Sequence, residues 1–210
     1  MSAQSIYDKL RDYGLTHEGT CGVMGNLMAE SSMIANIAQR GMTKLTDEQY
    51  TAKYDNDPES CYKDGVGYGL AQWTYWPRKK ALAEFANSSG VSVGDAQMQV
   101  DFLVHELRTD YSGLFEFLCQ TKDMYTATDR VCREFERPAV NNVAIRYDFA
   151  KVFSADLHES VEQTPAHPPD QSIMILQTVL VYNGYSTEIS GYKSPQFLET
   201  LREFVTDIGG

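Results

Sequence analysis

The segment GNLMAESSM (residues 25–33) places a single glutamate, Glu30, in a stretch that otherwise has the composition of a buried helix. Because a helix turns by about 100° per residue, Glu30 lies within about 60° of Val23 and Leu27 on one face. It also lies near the C-terminal end of the helix, where the helix dipole is negative. Both features disfavour an ionised carboxylate, so the position predicts a protonated carboxylic acid. Beside a cleft, such an acid can protonate the leaving oxygen of a glycosidic bond.

A second segment, GVGYGLAQWT (residues 65–74), has the residue types of a sugar-binding loop. Its glycines allow the backbone to approach a ligand closely. Gln72 offers both a hydrogen-bond donor and an acceptor, and Tyr68 and Trp73 offer flat faces that suit a sugar ring. The alternative is a glycine-rich turn that packs Trp73 into the core.

The possible partners of Glu30 divide into structural and catalytic ones. A structural Glu30 would cap its helix or pair with a cation such as Arg40. A catalytic Glu30 raises the question of a second carboxylate that activates water, for which the acidic stretch between the two segments offers Asp55, Asp57 and Asp64. A separation of about 6.5–9.5 Å would indicate an inverting enzyme, and one of about 5 Å a retaining enzyme.

The segments GVMGNLMAESSM, GYGLAQWT and FERPA follow one another in this order. Together they resemble the phage tail-type lysozyme family, part of the wider group of lysozyme-like folds that includes goose-type lysozymes and lytic transglycosylases. The resemblance runs from about Leu15 to Phe153 and implies that Glu30 is the general acid. It also implies that Gly69, Leu70 and Gln72 line the sugar-binding cleft. With the two aromatic residues of this loop, the candidate substrate-binding residues are Tyr68, Gly69, Leu70, Gln72 and Trp73.

The resemblance implies a muramidase of phage or prophage origin. Such an enzyme hydrolyses the β-1,4 bond between N-acetylmuramic acid and N-acetylglucosamine, and we expect it to need neither a metal nor a cofactor. A lytic transglycosylase that acts on the same bond is the alternative, but the third transglycosylase motif, AYNxG, has no match here. For Glu136 of the FERPA segment, packing between helix and loop is the interpretation.

Apolar residues at helical spacing predict the elements that position these side chains. Thr16 is the expected N-cap of the helix that carries Glu30. Other helices are indicated by Ile6, Leu10 and Tyr13, by Pro77 to Gly90, by Val100, Leu103, Val104 and Leu107, by Thr128, Val131, Cys132 and Phe135, and by Ile145, Phe149, Val152 and Phe153. Residues 36–70, polar and rich in Gly and Tyr, predict loops with at most short strands. We therefore expect a mainly α, lysozyme-like fold (α+β) over residues 1–158.

The composition changes after this first domain. Residues 159–169 contain three prolines and predict a linker. Residues 170–210 predict a small helical module that resembles the peptidoglycan-binding repeat at Leu176, Gln177, Leu180, Gly184, Tyr185 and Gly191. Ser190 stands where that family has an acidic residue, so a structural cap on the first domain is the alternative to wall binding.

Charge and composition restrict the partners. The formal net charge of −11 argues against nucleic acid, because phosphate binding requires clustered Lys and Arg. No apolar run suits membrane insertion, and the N-terminus lacks the apolar core of a signal peptide. The scattered cysteines and histidines do not have metal-ligand spacing. We expect bacterial peptidoglycan as the partner, met at the cell wall by a protein that is virion-associated or released from the host cytoplasm.

Two functions of other classes also fit the sequence. A Cys/His peptidase of wall peptides would use Cys21 with His105, His158 or His167 as the base. Cys21 lies about 180° from Glu30 on the helical wheel, which favours packing over catalysis. A non-catalytic protein would bind cell walls without releasing sugar ends.

Overall fold

The computed structural model describes residues 2–157 together with Leu180, Thr200 and Phe204, which are helical. The predicted linker and the rest of the predicted C-terminal module lie outside the described residues. By its contacts the chain divides into two compact units, of which the first ends at Ser160.

The first unit is built from helices, and residues 2–157 contain no β-strand, so the predicted mainly α fold class is confirmed. The elements are α1 (Ala3–Asp12), α2 (His17–Ser31), α3 (Asp47–Asn56), α4 (Glu59–Tyr62), α5 (Trp76–Ser89), α6 (Ala96–Thr109), α7 (Ser112–Leu118), α8 (Met124–Arg130), a π-helix (Val131–Glu136) and α9 (Val143–Asp156). Among the described residues, no helix is long and apolar enough to cross a membrane.

Helix α2 is the centre of this unit and packs against α9, α8, α1 and α7. It begins as predicted, with the Thr16 side chain accepting a hydrogen bond from the Gly19 amide. Three glycines let its neighbours approach at backbone distance, because a Cβ there would overlap the Leu118 carbonyl, Ala127 or the Arg146 carbonyl; they are Gly19, Gly22 and Gly25. The helix that carries Glu30 is therefore enclosed by other helices along most of its length.

The acidic insertion differs from the predicted loops, because α3 and α4 lie within it. Thr46 and Gln49 form a capping box at the start of α3, and Tyr50 and Tyr54, four residues apart, are buried. These two tyrosines form the buried face of α3, which the polar composition of residues 36–70 did not indicate. Within residues 2–157, extended pairing is limited to the isolated bridges that Tyr68 forms with Ala38 and Trp73.

Lys79 fixes the insertion to α5. Its side chain is fully buried, and its ammonium group lies 2.8 Å from Asp64 Oδ1. The same group donates hydrogen bonds to the Tyr50 hydroxyl at 2.9 Å and to the carbonyls of Cys61 and Val66 at 2.7 Å. Burial lowers the pKa of Lys79, and the Asp64 contact opposes this effect.

Helix α9 is present as predicted, but its buried face is not the predicted one. Ile145 and Val152 are about half exposed, whereas Val143, Arg146 and Ala150 are buried. The burial of Arg146 is compensated by hydrogen bonds from its Nη1 and Nη2 atoms to Asn26 and Glu30 of α2. A pattern of apolar residues does not indicate such contacts.

Candidate active site

A single cleft brings the three motif segments together. Glu30, Gln72 and Glu136 all line this cleft, whose volume is about 1490 Å³. Glu30 comes from the last turn of α2, Gln72 from the loop before α5, and Glu136 from the end of the π-helix. The ordered segments thus mark one place in the fold, although more than 100 residues separate the first from the last.

Glu30 is held by α9. Arg146 Nη2 lies 2.6 Å from Glu30 Oε1, and Arg146 Nη1 donates to Asn26 Oδ1 at 3.1 Å. Asn26, one turn before Glu30, in turn donates to the Thr128 carbonyl at 3.1 Å. The cation beside Glu30 is therefore Arg146. The helical wheel predicted apolar surroundings for the Glu30 carboxyl, but a buried guanidinium also contacts it.

Arg40, the cation suggested by the sequence, pairs with another carboxylate. Its Nη2 lies 2.9 Å from Asp47 Oδ2, and its side chain is 72% exposed. It lines the outer part of the cleft, where solvent screens its charge.

Glu136 has a different environment from Glu30. Its Oε1 atom is buried and accepts no hydrogen bond from any described residue. Burial raises the pKa of the Glu136 carboxyl well above its usual value, and the nearby charge of Glu30 raises it further, while Arg78 and Arg146 act in the opposite direction. Glu30 and Glu136 therefore differ in their surroundings, because an arginine binds the carboxyl of Glu30 whereas burial raises the pKa of the carboxyl of Glu136.

A buried ion pair forms the wall beside Glu136. Arg78 of α5 donates from Nε to Glu106 Oε1 at 2.6 Å and from Nη2 to Glu106 Oε2 at 2.8 Å. Trp73 Nε1 donates to the same carboxylate at 2.8 Å. The Arg78 guanidinium also lies 4.4 Å from the centre of the Phe135 ring, so this network joins α5, α6 and the π-helix.

The predicted sugar-binding loop is mostly buried. Tyr68, Leu70 and Trp73 are at most 1% exposed, and the Leu70 amide donates to Gln99 Oε1 at 2.8 Å. Gly69 has φ +78°, and a Cβ there would lie 2.6 Å from Gln99 Oε1. Since protein covers both rings, Tyr68 and Trp73 do not present the open faces that the sequence suggested.

Of the five predicted binding residues, Gln72 is the one that lines the cleft. Its Nε2 donates to the Gly69 carbonyl at 3.0 Å and to the Ile37 carbonyl at 3.3 Å. Its φ is +45°, a conformation that is uncommon outside glycine and that the surrounding hydrogen bonds must maintain.

Left-handed backbone is concentrated around this cleft. Among the described non-glycine residues, positive φ occurs at Ser32, Met33, Gln72 and Arg137. The first two follow Glu30, and the last follows Glu136. Strained backbone of this kind persists where the surrounding structure enforces it, and it often accompanies functional sites.

The three candidate second carboxylates have other surroundings, and none is part of the cleft lining. Asp55 accepts hydrogen bonds from Ser92 Oγ at 2.6 Å and from the Val93 amide at 2.7 Å. Asp64 is bound to Lys79 at 2.8 Å. Asp57 is exposed at the end of α3.

Some cleft residues were not identified from the sequence. Tyr75, which is 65% exposed, and the half-buried Tyr111 both line the cleft. Tyr75 directly follows the GLAQWT segment, so its position was a usable signal. Arg146 shares the i, i+4 face of Ala150 on α9, and a charged residue on such a face indicates a buried partner.

Cys21, the candidate nucleophile of a Cys/His peptidase, does not line the cleft. Cys21 is fully buried, and burial raises the pKa of its thiol to about 12, so it is not a reactive thiolate. His105 lines the cleft, while His158 and His167 lie outside the described residues. Within residues 2–157, no group of three or more His, Cys, Asp and Glu side chains is arranged to hold a metal ion.

Comparison with known proteins gives a match over the whole described first unit. The family model for phage tail lysozymes matches residues 1–157 of the 210-residue chain. The match covers all three segments whose side chains meet in the cleft.

Proposed function

The chain belongs to the phage tail lysozyme family, a family of cell-wall lytic enzymes that act in a phage context, and on this basis we propose that it is a muramidase. The substrate is bacterial peptidoglycan. The bond hydrolysed is the β-1,4 bond between N-acetylmuramic acid and N-acetylglucosamine, with Glu30 as the general acid.

The observation that carries this proposal is the position of Glu30. Helix α2 is buried from Gly19 to Leu27 and brings one carboxyl to the cleft at its last turn. The side chain of Glu30 is 19% exposed and is oriented by Arg146. A fixed carboxyl at a cleft wall, partly open to a ligand, is the geometry that general acid catalysis requires.

Substrate binding is assigned to the exposed groups of the cleft. The Gln72 amide nitrogen already donates to two carbonyls, which leaves its amide oxygen to accept a hydrogen bond from a sugar. Tyr75 and Tyr111 supply ring faces for stacking. Tyr68, Gly69, Leu70 and Trp73 contribute by fixing the loop that presents Gln72.

Hydrolysis proceeds by transfer of one proton to the leaving oxygen while the bond to the anomeric carbon breaks. Water then adds its hydroxyl to that carbon, and the proton that water gives up returns to the Glu30 carboxylate. Because Asp55, Asp57 and Asp64 do not line the cleft, we do not assign the activation of water to any of them.

Digestion of purified peptidoglycan followed by mass spectrometry tests this proposal. New reducing N-acetylmuramic acid ends are expected, with a loss of at least about 100-fold in their release by Glu30→Gln. Glu84→Gln, which changes an exposed glutamate of α5 paired with Lys80, is the matched control and should keep full activity.

The other product patterns each contradict the proposal. Ends of the 1,6-anhydro type would indicate a lytic transglycosylase, free peptide ends a peptidase, and intact glycan a binding protein. An active and folded Glu30→Gln protein would remove Glu30 from the mechanism.

A further inference from the structure

Of the arginines that line the cleft, Arg137 is the one that forms no ion pair with a residue of the range 2–157. Arg40 is paired with Asp47, and Arg78 with Glu106. The formal net charge of the chain is −11, so acidic side chains are not scarce. The guanidinium of Arg137 is therefore a cation at the cleft wall whose charge remains available to a ligand.

The carboxyl groups of the cleft do not neutralise this cation. Glu30 and Glu106 are bound to the arginines of α9 and α5. Asp110 and Glu136 also line the cleft, but neither forms an ion pair with Arg137 in the part of the chain that the structure describes. An acidic group of a ligand would thus be the ion-pair partner of Arg137.

Contacts with its surroundings orient the Arg137 side chain. Its Nε donates to the Glu134 carbonyl at 2.7 Å, and the guanidinium carbon lies 5.7 Å from the centre of the Tyr111 ring. Both Nη groups are left without an acceptor among residues 2–157. Because two Nη groups form a planar fork that matches the two oxygens of a carboxylate, the oriented side chain presents a binding site for such a group.

The backbone of Arg137 is in a conformation that arginine rarely adopts. Its φ and ψ are 51° and 50°, in the left-handed region that favours glycine. Pro138 follows directly, and a residue before proline prefers extended backbone. Backbone of this kind persists where the surrounding structure enforces it, and it is frequent at ligand-binding sites. An arginine at a position that suits glycine better therefore points to a use of its side chain.

The cleft has room for more than the sugars on either side of the bond. Its volume of about 1490 Å³ exceeds the roughly 300–1,000 Å³ of an ordinary small-molecule site. Arg137 lies beside Tyr111, whose ring is assigned to sugar stacking. In peptidoglycan, N-acetylmuramic acid carries an acidic peptide on its lactyl group, so a carboxylate next to a bound sugar is a feature of this substrate.

We propose that Arg137 binds a carboxylate of the peptide attached to N-acetylmuramic acid, and that it thereby selects glycan that carries acidic peptides. This inference rests on the proposed muramidase function. The contact lies away from the bond that is cleaved, so it contributes to substrate binding and not to the chemical step. Arg137 is therefore a specificity-determining residue, and its loss should change KM more than kcat.

Kinetics of Arg137→Gln on soluble, uncrosslinked glycan strands that carry their peptides test this inference. We expect KM to rise about tenfold while kcat changes by less than about twofold. Added salt should raise the KM of the wild type more than that of the variant, because it screens the ion pair. Arg133→Gln is the matched control, since Arg133 is exposed on the π-helix, is paired with Asp129 and does not line the cleft; its KM should equal that of the wild type.

Changes to the substrate identify the group that Arg137 binds. On strands whose carboxylates have been converted to amides, the wild type should have the raised KM of Arg137→Gln, and the variant should show no further rise. On strands whose peptides have been removed, which retain the carboxylate of the lactyl group, the two proteins should have equal KM. A higher KM of the variant on these strands would make the lactyl carboxylate the ligand and overturn the peptide assignment.

A second variant keeps the inference testable if Arg137→Gln folds poorly. Arg137→Gly removes the guanidinium at a φ that glycine adopts readily, and it should show the same rise in KM. An unchanged KM of a folded variant on peptide-bearing strands would overturn the inference, even if Glu30→Gln is inactive. Failure of the wild type to release reducing ends from any of the strands would instead contradict the proposed function.

Discussion

Arg146 Nη2 lies 2.6 Å from Glu30 Oε1, so a residue of α9 holds the carboxyl that α2 brings to the cleft. The same guanidinium donates to Asn26 Oδ1, one helical turn before Glu30. The planar fork of arginine makes both bonds from one rigid group, which a lysine does not reproduce. Orientation of Glu30 therefore depends on the contact between these two helices.

Arg146→Lys should keep the protein folded and reduce activity. The ammonium group retains the charge but cannot bind Glu30 and Asn26 in the same geometry, so we expect kcat to fall about 10- to 100-fold with a smaller change in KM. Release of reducing ends from peptidoglycan measures both constants. Arg133→Lys, an exposed arginine paired with Asp129, is the control, and equal kinetics of the two variants would contradict an orienting role for Arg146.

Gly25→Ala should weaken both stability and activity. The added Cβ would overlap the Arg146 carbonyl and contact Ala150, which forces α9 away from α2 and displaces the guanidinium. We expect a loss of about 1–3 kcal/mol in the free energy of unfolding, from denaturant titration, and a loss of lytic activity. Gly113→Ala is the control, because a Cβ at Gly113 of α7 meets nothing within 4 Å; it should be neutral or slightly stabilising.

Local signals explain what the sequence predicted correctly. Thr16 caps α2, and α5 runs from Trp76 to Ser89 with Gly90 as its C-cap, because caps depend on neighbouring residues alone. The three motif segments also meet in one cleft, as their resemblance to one family implied.

Partners distant in sequence explain what was missed. The buried face of α9 includes Arg146 because its Nη1 and Nη2 atoms bind Asn26 and Glu30, more than 100 residues earlier. Glu136 was interpreted as packing because its raised pKa depends on burial and on charges from four other helices. No local pattern contains these contacts.

Lys79→Met should destabilise the first unit. It removes the buried cation that binds Asp64 and two backbone carbonyls, so Asp64 loses its counter-charge and each carbonyl loses a hydrogen bond. We expect a loss of about 3 kcal/mol in the free energy of unfolding. Lys80→Met, at the adjacent exposed position paired with Glu84, should change stability by less than about 0.5 kcal/mol. Similar values for the two variants would show that Lys79 does not fix the insertion.

Alkylation of the native protein with iodoacetamide should leave wall lysis intact. Cys21 is fully buried with a pKa of about 12, so it has almost no thiolate at neutral pH and no access for the reagent. Cys119, which is less buried, should react before Cys21, as peptide mass mapping would show. Inhibition that tracks modification of Cys21 without unfolding would support the peptidase alternative.

The stability of the protein should depend on pH through Glu136. Its pKa in the folded protein lies well above the ordinary value of 4.5, so the folded state binds more protons than the unfolded state between those two values. The contribution of Glu136 to stability is therefore complete below the unfolded pKa and is lost as the pH rises through the folded pKa. Since a glutamine side chain does not titrate, Glu136→Gln should become more stable relative to the wild type as the pH rises from about 4 to 8. Denaturant titrations at several pH values measure this difference, and Glu134→Gln should show no comparable rise. A constant difference for Glu136→Gln would mean that the pKa of Glu136 is the same in the folded and unfolded states.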